Sequence, residues 1–223
     1  MKLIAIGGGG FANGTDPVLD DFVLSLAKGR ETRIGFVNTA SDHDPVRIER
    51  FNGLMAPKVN SALHLSPSAD SGALAIWLAD IDLLYIGGGD TARLQTVWTE
   101  RNYWPAIQAA VARGLNVAGV SAGAVIWFET ALVRNRHKAL EFIRGAGLVG
   151  GSICVHYSSE PDRKEPFAKA IQTKEIPEGI AIDDGVAVIF EQGQTPSYMS
   201  ARPENRAYYI HQSGAVSLNK VKG

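Results

Sequence analysis

The sequence predicts an α/β fold, doubly wound around a mostly parallel sheet. Three observations carry that reading. Short runs of β-branched and aliphatic residues alternate with longer stretches of helical periodicity. The short runs are apolar nearly throughout, as strands covered on both faces must be. The chain also has 223 residues, 45% of them apolar, enough for one large core.

Taken in order, "KLIAI" (2–6), "RIGFVN" (33–38), "IDLLYI" (81–86) and "LNVAGV" (115–120) read as buried parallel strands. The stretches 16–28, 44–56, 71–79 and 92–113 between them read as helices, with Leu74, Trp77 and Leu78 forming one stripe in the third. Beyond about residue 175, "IAIDDGVAVIFEQGQTPSYMS" and "RAYYIHQSGAVSLNK" read as short strands joined by Asp-Gly, Gly-Gln and Ser-Gly turns. They are expected to extend the same sheet in antiparallel fashion. No Pro/Ser/Gly-rich linker or repeat divides the chain, so 1–223 is read as a single domain.

Composition excludes several function classes. A net charge of −1 and the lack of a Lys/Arg cluster with interleaved aromatics argue against nucleic acid and anionic membranes as partners. Four apolar residues follow Lys2 before glycine intervenes, too few for a signal-peptide core. A cytoplasmic protein is expected. Cys154 is the single cysteine, which removes disulfide frameworks and cysteine-based zinc sites; no metal is expected.

In α/β sheets of this kind ligands bind beyond the carboxyl ends of the strands. One of those ends reads "AGVSAGA" (118–124). Gly119-Val120-Ser121-Ala122-Gly123 fits the G-x-S-x-G nucleophile elbow, in which a serine on a strained strand-to-helix turn lifts its hydroxyl above the sheet. Side chains at 119 and 123 would collide in such a turn. The turn aims the Ala122 amide at the reaction centre, and "AGAVIWFE" is expected to supply a helix behind it.

A serine hydroxyl needs a base. His64 reads as a half-exposed strand residue and His137 as a solvated turn, while His211 lies near a late turn and His43 follows the second strand. His156 closes the apolar run "LVGGSICV" and is favoured on that position. An acid should orient the ring. Asp183 and Asp184 of "AIDDG" are candidates, only one of which can face it because strand neighbours point oppositely. Glu129 and Glu141 compete with them.

Two glycine-rich stretches also end strands. "YIGGGDT" (85–91) can present amides to an oxyanion or a phosphate. "IGGGGFAN" (6–13) formally fits a dinucleotide fingerprint through Gly7, Gly9 and Ala12. However, the second strand ends in "VNTAS", without the acid that would hold a ribose.

With "YIGGGDT", "GVSAGA", "HYSSEPDR" and "AIDDG" in this order, the chain resembles the S51 serine peptidases, the peptidase E (aspartyl dipeptidase) and cyanophycinase family. The resemblance runs over almost the full length, including the opening glycines and "GFVNTAS". It implies a fold like the class I glutamine amidotransferases and the order nucleophile, histidine, acid. Position by position it implies Ser121 as nucleophile, His156 as base, Asp184 as acid, and the amides of Gly88 and Ala122 as oxyanion donors. The implied activity is a dipeptidase E-like serine exopeptidase acting on short peptides, without cofactor, in a chain that can form a homodimer. Alternatives are a cyanophycinase-like peptidase, a small-ester hydrolase, or a non-catalytic ligand-binding domain of the same fold.

Three departures bear on substrate choice. The family's glutamate is Asp184 here, its Pro-His is Val155-His156, and the Asn that follows the triple glycine in the dipeptidases is Asp90. Specificity for an N-terminal aspartate would need a cation. Arg163, seven residues after His156, is the candidate, against a surface pairing with Glu160 or Glu165.

Overall fold

A computed structural model describes residues 1–221. Four strands form where the apolar runs predict them: β1 (Lys2–Ile6), β2 (Arg33–Val37), β4 (Leu83–Ile86) and β5 (Asn116–Val120). With the edge strand β3 (Ser61–His64) they make the parallel part of a sheet. Residues alternate between its two faces. Ile4 and Ile6 pack with Leu19 and Val23 of α1 (Pro17–Ser25) and Phe51 and Met55 of α2 (Pro45–Met55). Leu3 and Ala5 face the opposite core, shared with α3 (Ser71–Ala79), α4 (Thr91–Glu100) and α5 (Trp104–Ala112).

The single helix expected over 92–113 is two helices. Asn102 takes a left-handed φ of 53° and Pro105 starts the second, so the helical ladder stops between them. The helix expected after the serine is also shorter than its sequence suggests. α6 (Ala122–Val125) is one turn, and the chain returns at once as β6 (Phe128–Arg134).

The carboxyl-terminal third departs most from expectation. β10 (Val186–Glu191) and β11 (Ser197–Ser200) do extend the first sheet in antiparallel fashion beside β1, and the short β14 (Asn219–Lys220) closes that edge. Its order is β14-β11-β10-β1-β5-β4-β2-β3. β9 (Gly179–Ile182), β12 (Ala207–His211) and β13 (Gly214–Ser217) instead join β6, β7 (Leu140–Arg144) and β8 (Val149–Cys154) in a second sheet. Its order is β13-β12-β9-β8-β6-β7, with β6, β8 and β9 parallel at its centre.

Ala131, Ile153 and Ile180 of this second sheet share the core of Leu3 and Val117, so the two sheets pack through one apolar layer. On its other face α7 (Lys164–Gln172) buries Phe167 and Ile171 against Leu132 and Cys154. The consequence for function is convergence. The ends of β1, β4 and β5 in one sheet meet the ends of β8 and β9 in the other.

Candidate active site

Ser121 follows β5 directly and takes φ 53°, ψ −115°, a region few non-glycine residues adopt. The strain is fixed from both sides. Its amide donates to the Ile6 carbonyl at 3.0 Å, and its own carbonyl accepts from Ala124 and Val125. The flanking glycines are obligatory. A Cβ at Gly119 would lie 2.0 Å from the Gly123 oxygen, and one at Gly123 would lie 2.2 Å from the Ile86 oxygen. Trp127 then donates from Nε1 to the Gly123 carbonyl at 3.0 Å, pinning the one-turn helix. A four-residue helix carries little macrodipole, so any anion stabilisation here comes from individual amides.

His156 stands just after β8, also at a positive φ of 57°. Its Nε2 lies 2.9 Å from Ser121 Oγ and its Nδ1 lies 2.7 Å from Asp184 Oδ1. Asp184 follows β9 by one residue more than Asp183. As strand alternation requires, the two aspartates part ways. Asp183 is buried and accepts the Arg206 amide at 2.9 Å, tying the strand end to β12 instead of ending in solvent. Burial raises the Asp184 carboxyl, but hydrogen bonds from His156 and Ser159 and the charges of His156 and Arg202 outweigh it and hold the group below its usual range.

The opening glycines serve this acid. The Gly185 amide donates to the Gly8 carbonyl at 2.8 Å, and a Cβ at Gly8 would sit 2.2 Å from Asp184 Oδ1 and 3.0 Å from the His156 ring. Of the dinucleotide-like pattern, Gly7 packs on the same turn, where a Cβ would lie 2.2 Å from the Asp183 carbonyl oxygen, while Gly9 packs against Asp16.

Gly88 backs onto the serine, where an added Cβ would lie 3.1 Å from that of Ser121. Two side chains that sequence reasoning passed over hold its carbonyl: Ser41 Oγ at 2.5 Å and Arg47 Nη1 at 2.9 Å. In a trans peptide the next N–H points the opposite way. Gly89, whose N–H that is, lines the cavity above Ser121. Because these residues act on a backbone oxygen, no motif advertises them; the place of Ser41 in the loop after β2 and of Arg47 in the first turn of α2 is the one available signal.

The cavity measures about 170 Å³ and takes in Ser121, His156, Thr91, Arg134, Glu160 and Arg163. Arg163 is 3% exposed, donating to Glu160 Oε2 at 2.8 Å and to the Leu132 carbonyl at 2.9 Å. Arg134 reaches the same Glu160 oxygen at 2.7 Å and also Asp162. Burial pushes the Glu160 carboxyl up, and the two guanidiniums more than reverse this. Arg163 does pair with Glu160, but it does so buried in the wall of the cavity that holds Ser121 and not on the surface that the pairing alternative expected. Asp90 lies outside this cavity and caps α4, accepting the Arg93 amide at 3.0 Å.

The remaining candidates are elsewhere. His43 keeps a buried Nδ1 without a partner, His137 sits with Arg136 on the surface, and His211 bonds Ser213 in a hairpin. His64 is a strand residue as expected, at the end of β3, but exposed and not half-exposed. Glu129 is exposed and Glu141 accepts from Asn135. Burial pushes the Cys154 thiol up to about 12, so it supplies no thiolate. Among the described residues no group of three or more His, Cys, Asp and Glu side chains could hold a metal, and no helix is long and apolar enough to cross a membrane.

The family model described as Peptidase family S51 matches residues 3–197. The chain belongs to peptidase family S51. The uncharacterized peptidase YgaJ of Bacillus subtilis (strain 168) is 35% identical to this S51 peptidase over 214 residues, 94% of this chain and 91% of that protein. Two crystal structures share its fold at a TM-score of 0.67. One is a peptidase from an acI-B1 Actinobacterium, 16% identical, covering 99% of this chain and 95% of that one. The other is a putative peptidase E protein from Listeria monocytogenes EGD-e, 19% identical, covering 89% of this chain and 98% of that one. The S51 assignment makes the chain a peptidase, and the α/β class predicted from its runs is the class of these neighbours.

Proposed function

We propose that this S51 peptidase is a serine exopeptidase that trims short peptides through an acyl-enzyme, with Ser121 as nucleophile, His156 as base and Asp184 as the orienting acid. The observation that carries the reading is the unbroken hydrogen-bond chain from Oγ through the imidazole to Oδ1, at 2.9 and 2.7 Å. For that chain to work, Nδ1 carries the hydrogen donated to Asp184 and Nε2 accepts from the hydroxyl.

Oγ attacks the scissile carbonyl as its proton passes to Nε2. The same proton then goes to the departing amine, and the C–N bond breaks. Water, deprotonated by His156, hydrolyses the ester and restores the hydroxyl. The oxyanion forms next to the amides of Ala122 and Gly88, and Gly89, whose N–H opposes the held Gly88 carbonyl, lines the same cavity. Short substrates are favoured by the size of the cavity, which is closed on one side by the Arg134–Glu160–Arg163 cluster.

The test combines labelling with turnover. A fluorophosphonate probe should modify Ser121 in the wild type and leave Ser121→Ala untouched. Dipeptide and tripeptide hydrolysis should fall by roughly four or more orders of magnitude in that variant, with the fold unchanged. Wild-type-like turnover by Ser121→Ala would refute the assignment.

A further inference from the structure

Behind the acid turn lies an ion pair that the hydrogen-bond chain does not include. Asp16 stands at the start of α1 with a left-handed φ of 52°, yet its carboxylate does not cap the helix. It takes a two-point fork from Arg202, Nε to Oδ1 at 3.0 Å and Nη2 to Oδ2 at 2.7 Å.

Both partners press on the loops that carry the acid. A Cβ at Gly9 would lie 2.5 Å from Asp16 Oδ2, and one at Gly185 would lie 2.8 Å from the Arg202 side chain. Gly185 is the residue after Asp184, its amide bonds the Gly8 carbonyl, and its own carbonyl accepts from Ala201 next to Arg202. The pair therefore straddles the seam between the glycine loop and the acid turn. The side chains are 186 positions apart in sequence, so no local pattern reveals them.

We propose that Arg202 and Asp16 are positioning residues for Asp184, the fork holding the acid turn against Gly8 and placing one charge of each sign behind it. The inference rests on the triad reading above. Arg202 favours the ionised Asp184 and Asp16 opposes it. The other groups facing the acid are His156 and the Ser159 hydroxyl from the loop after β8, Asp183 from its own strand, and Asn205, which donates to the Asp184 carbonyl at 2.7 Å. Lys164 of α7 faces Asp183, and Glu160 acts on His156. None of these residues is itself substituted in the variants below.

The experiment is a pH profile of kcat/KM for peptide hydrolysis by the wild type, Arg202→Met, Arg202→Lys, Asp16→Asn and the double variant Asp16→Asn/Arg202→Met. The acidic limb reports protonation of the coupled imidazole–carboxylate pair. Arg202→Met should move that limb up by a few tenths of a pH unit and Asp16→Asn should move it down by a similar amount. The double variant should return it close to the wild-type position. Arg202→Lys keeps the charge and loses the fork, so its limb should stay in place while kcat falls roughly three- to tenfold at unchanged KM.

A structural role confined to folding would shift no limb, and a purely electrostatic one would leave Arg202→Lys at wild-type kcat; either result overturns the proposal. So does a shift of both single variants in the same direction. Should a single variant fail to fold, the remaining one and the Lys substitution still decide. Ser121→Ala, assayed alongside, separates failure of this inference from failure of the triad: if it retains turnover, the earlier reading falls, whatever residues 16 and 202 do.

Discussion

Arg47 donates to the carbonyl of Gly88 at 2.9 Å, reaching from α2 across to the loop that ends β4. With Ser41 on the same oxygen, the Gly88–Gly89 peptide is fixed in one orientation and polarised by a cation. Arg47→Met removes the charged donor without filling the cavity. Losing an oxyanion donor costs about 10²–10³ in kcat in a well-studied serine protease. Here the Gly89 N–H of that peptide and the neighbouring Gly88 amide would be loosened, not deleted, so a fall of roughly 10- to 100-fold in kcat at near-constant KM is expected, with Ser41→Ala milder. Steady-state kinetics on one good dipeptide check this. A change confined to KM would assign Arg47 to substrate binding.

Gly8→Ala tests the other loop. The added methyl would collide with Asp184 Oδ1 at 2.2 Å, and the acid must move away from the imidazole. The expected result is a kcat loss approaching that of Asp184→Asn, roughly 10³–10⁴-fold, with melting temperature changed less than activity. Gly8 is the place where a structural glycine and the candidate chemistry coincide.

These loops also show what the sequence could and could not reveal. Ser121, His156 and the Asp183-Asp184 pair could be picked out because each ends an apolar run, and the ends of runs are where an α/β sheet presents chemistry; the choice of Asp184 over Asp183 came from the family resemblance. Gly119 and Gly123 were legible through a steric rule, which their contacts bear out. The second sheet was not legible. Periodicity identifies a strand but carries no information on which sheet it joins, so β9 and β10, three residues apart, enter different sheets. Arg47, Ser41, Asp16 and Arg202 were missed for a related reason. They touch backbone or each other across long separations, and contact at distance leaves no local spacing to read.

Glu160→Gln addresses the cluster beside the serine. Arg163 is 3% exposed, and the Glu160 carboxylate is its anionic partner. Neutralising Glu160 leaves a buried guanidinium without a counter-charge, which typically costs several kcal/mol; about 2 kcal/mol is expected here because Glu160 is part-exposed. The sign with pH follows from its lowered carboxyl. The stabilisation is complete above the usual carboxylate range near 4.5 and is lost as pH falls through the lower folded value. Urea denaturation at pH 7 and pH 3 should therefore show a difference between wild type and variant that shrinks on acidification.

Asp20 behaves in the opposite sense. It is 3% exposed on α1 beneath the glycine loop, accepts the Phe11 amide, and leaves Oδ1 without a partner, as Tyr85 leaves its hydroxyl. Burial pushes its carboxyl up from 3.8 to about 6. A folded value above the unfolded one means the native state holds a proton that the unfolded chain has released. Asp20 thus costs nothing below about pH 4, and the penalty grows as pH rises to 6 and then levels off. At about 1.4 kcal/mol per unit, the cost at neutral pH is roughly 2–3 kcal/mol. Asp20→Asn keeps an acceptor for Phe11 and abolishes the ionisation, so it should stabilise the protein by about 1–2 kcal/mol at pH 8, after allowance for an unpaired amide hydrogen. Near pH 4, where the native carboxyl is protonated, the sign should reverse and leave the variant about 1 kcal/mol less stable through the unpaired amide hydrogen. Paired denaturation curves at the two values read the difference directly, cancelling the carboxylates common to both proteins. Equal stability at pH 8 would mean that the Asp20 carboxylate is already satisfied in the folded protein, for example by a water bridging it to Tyr85.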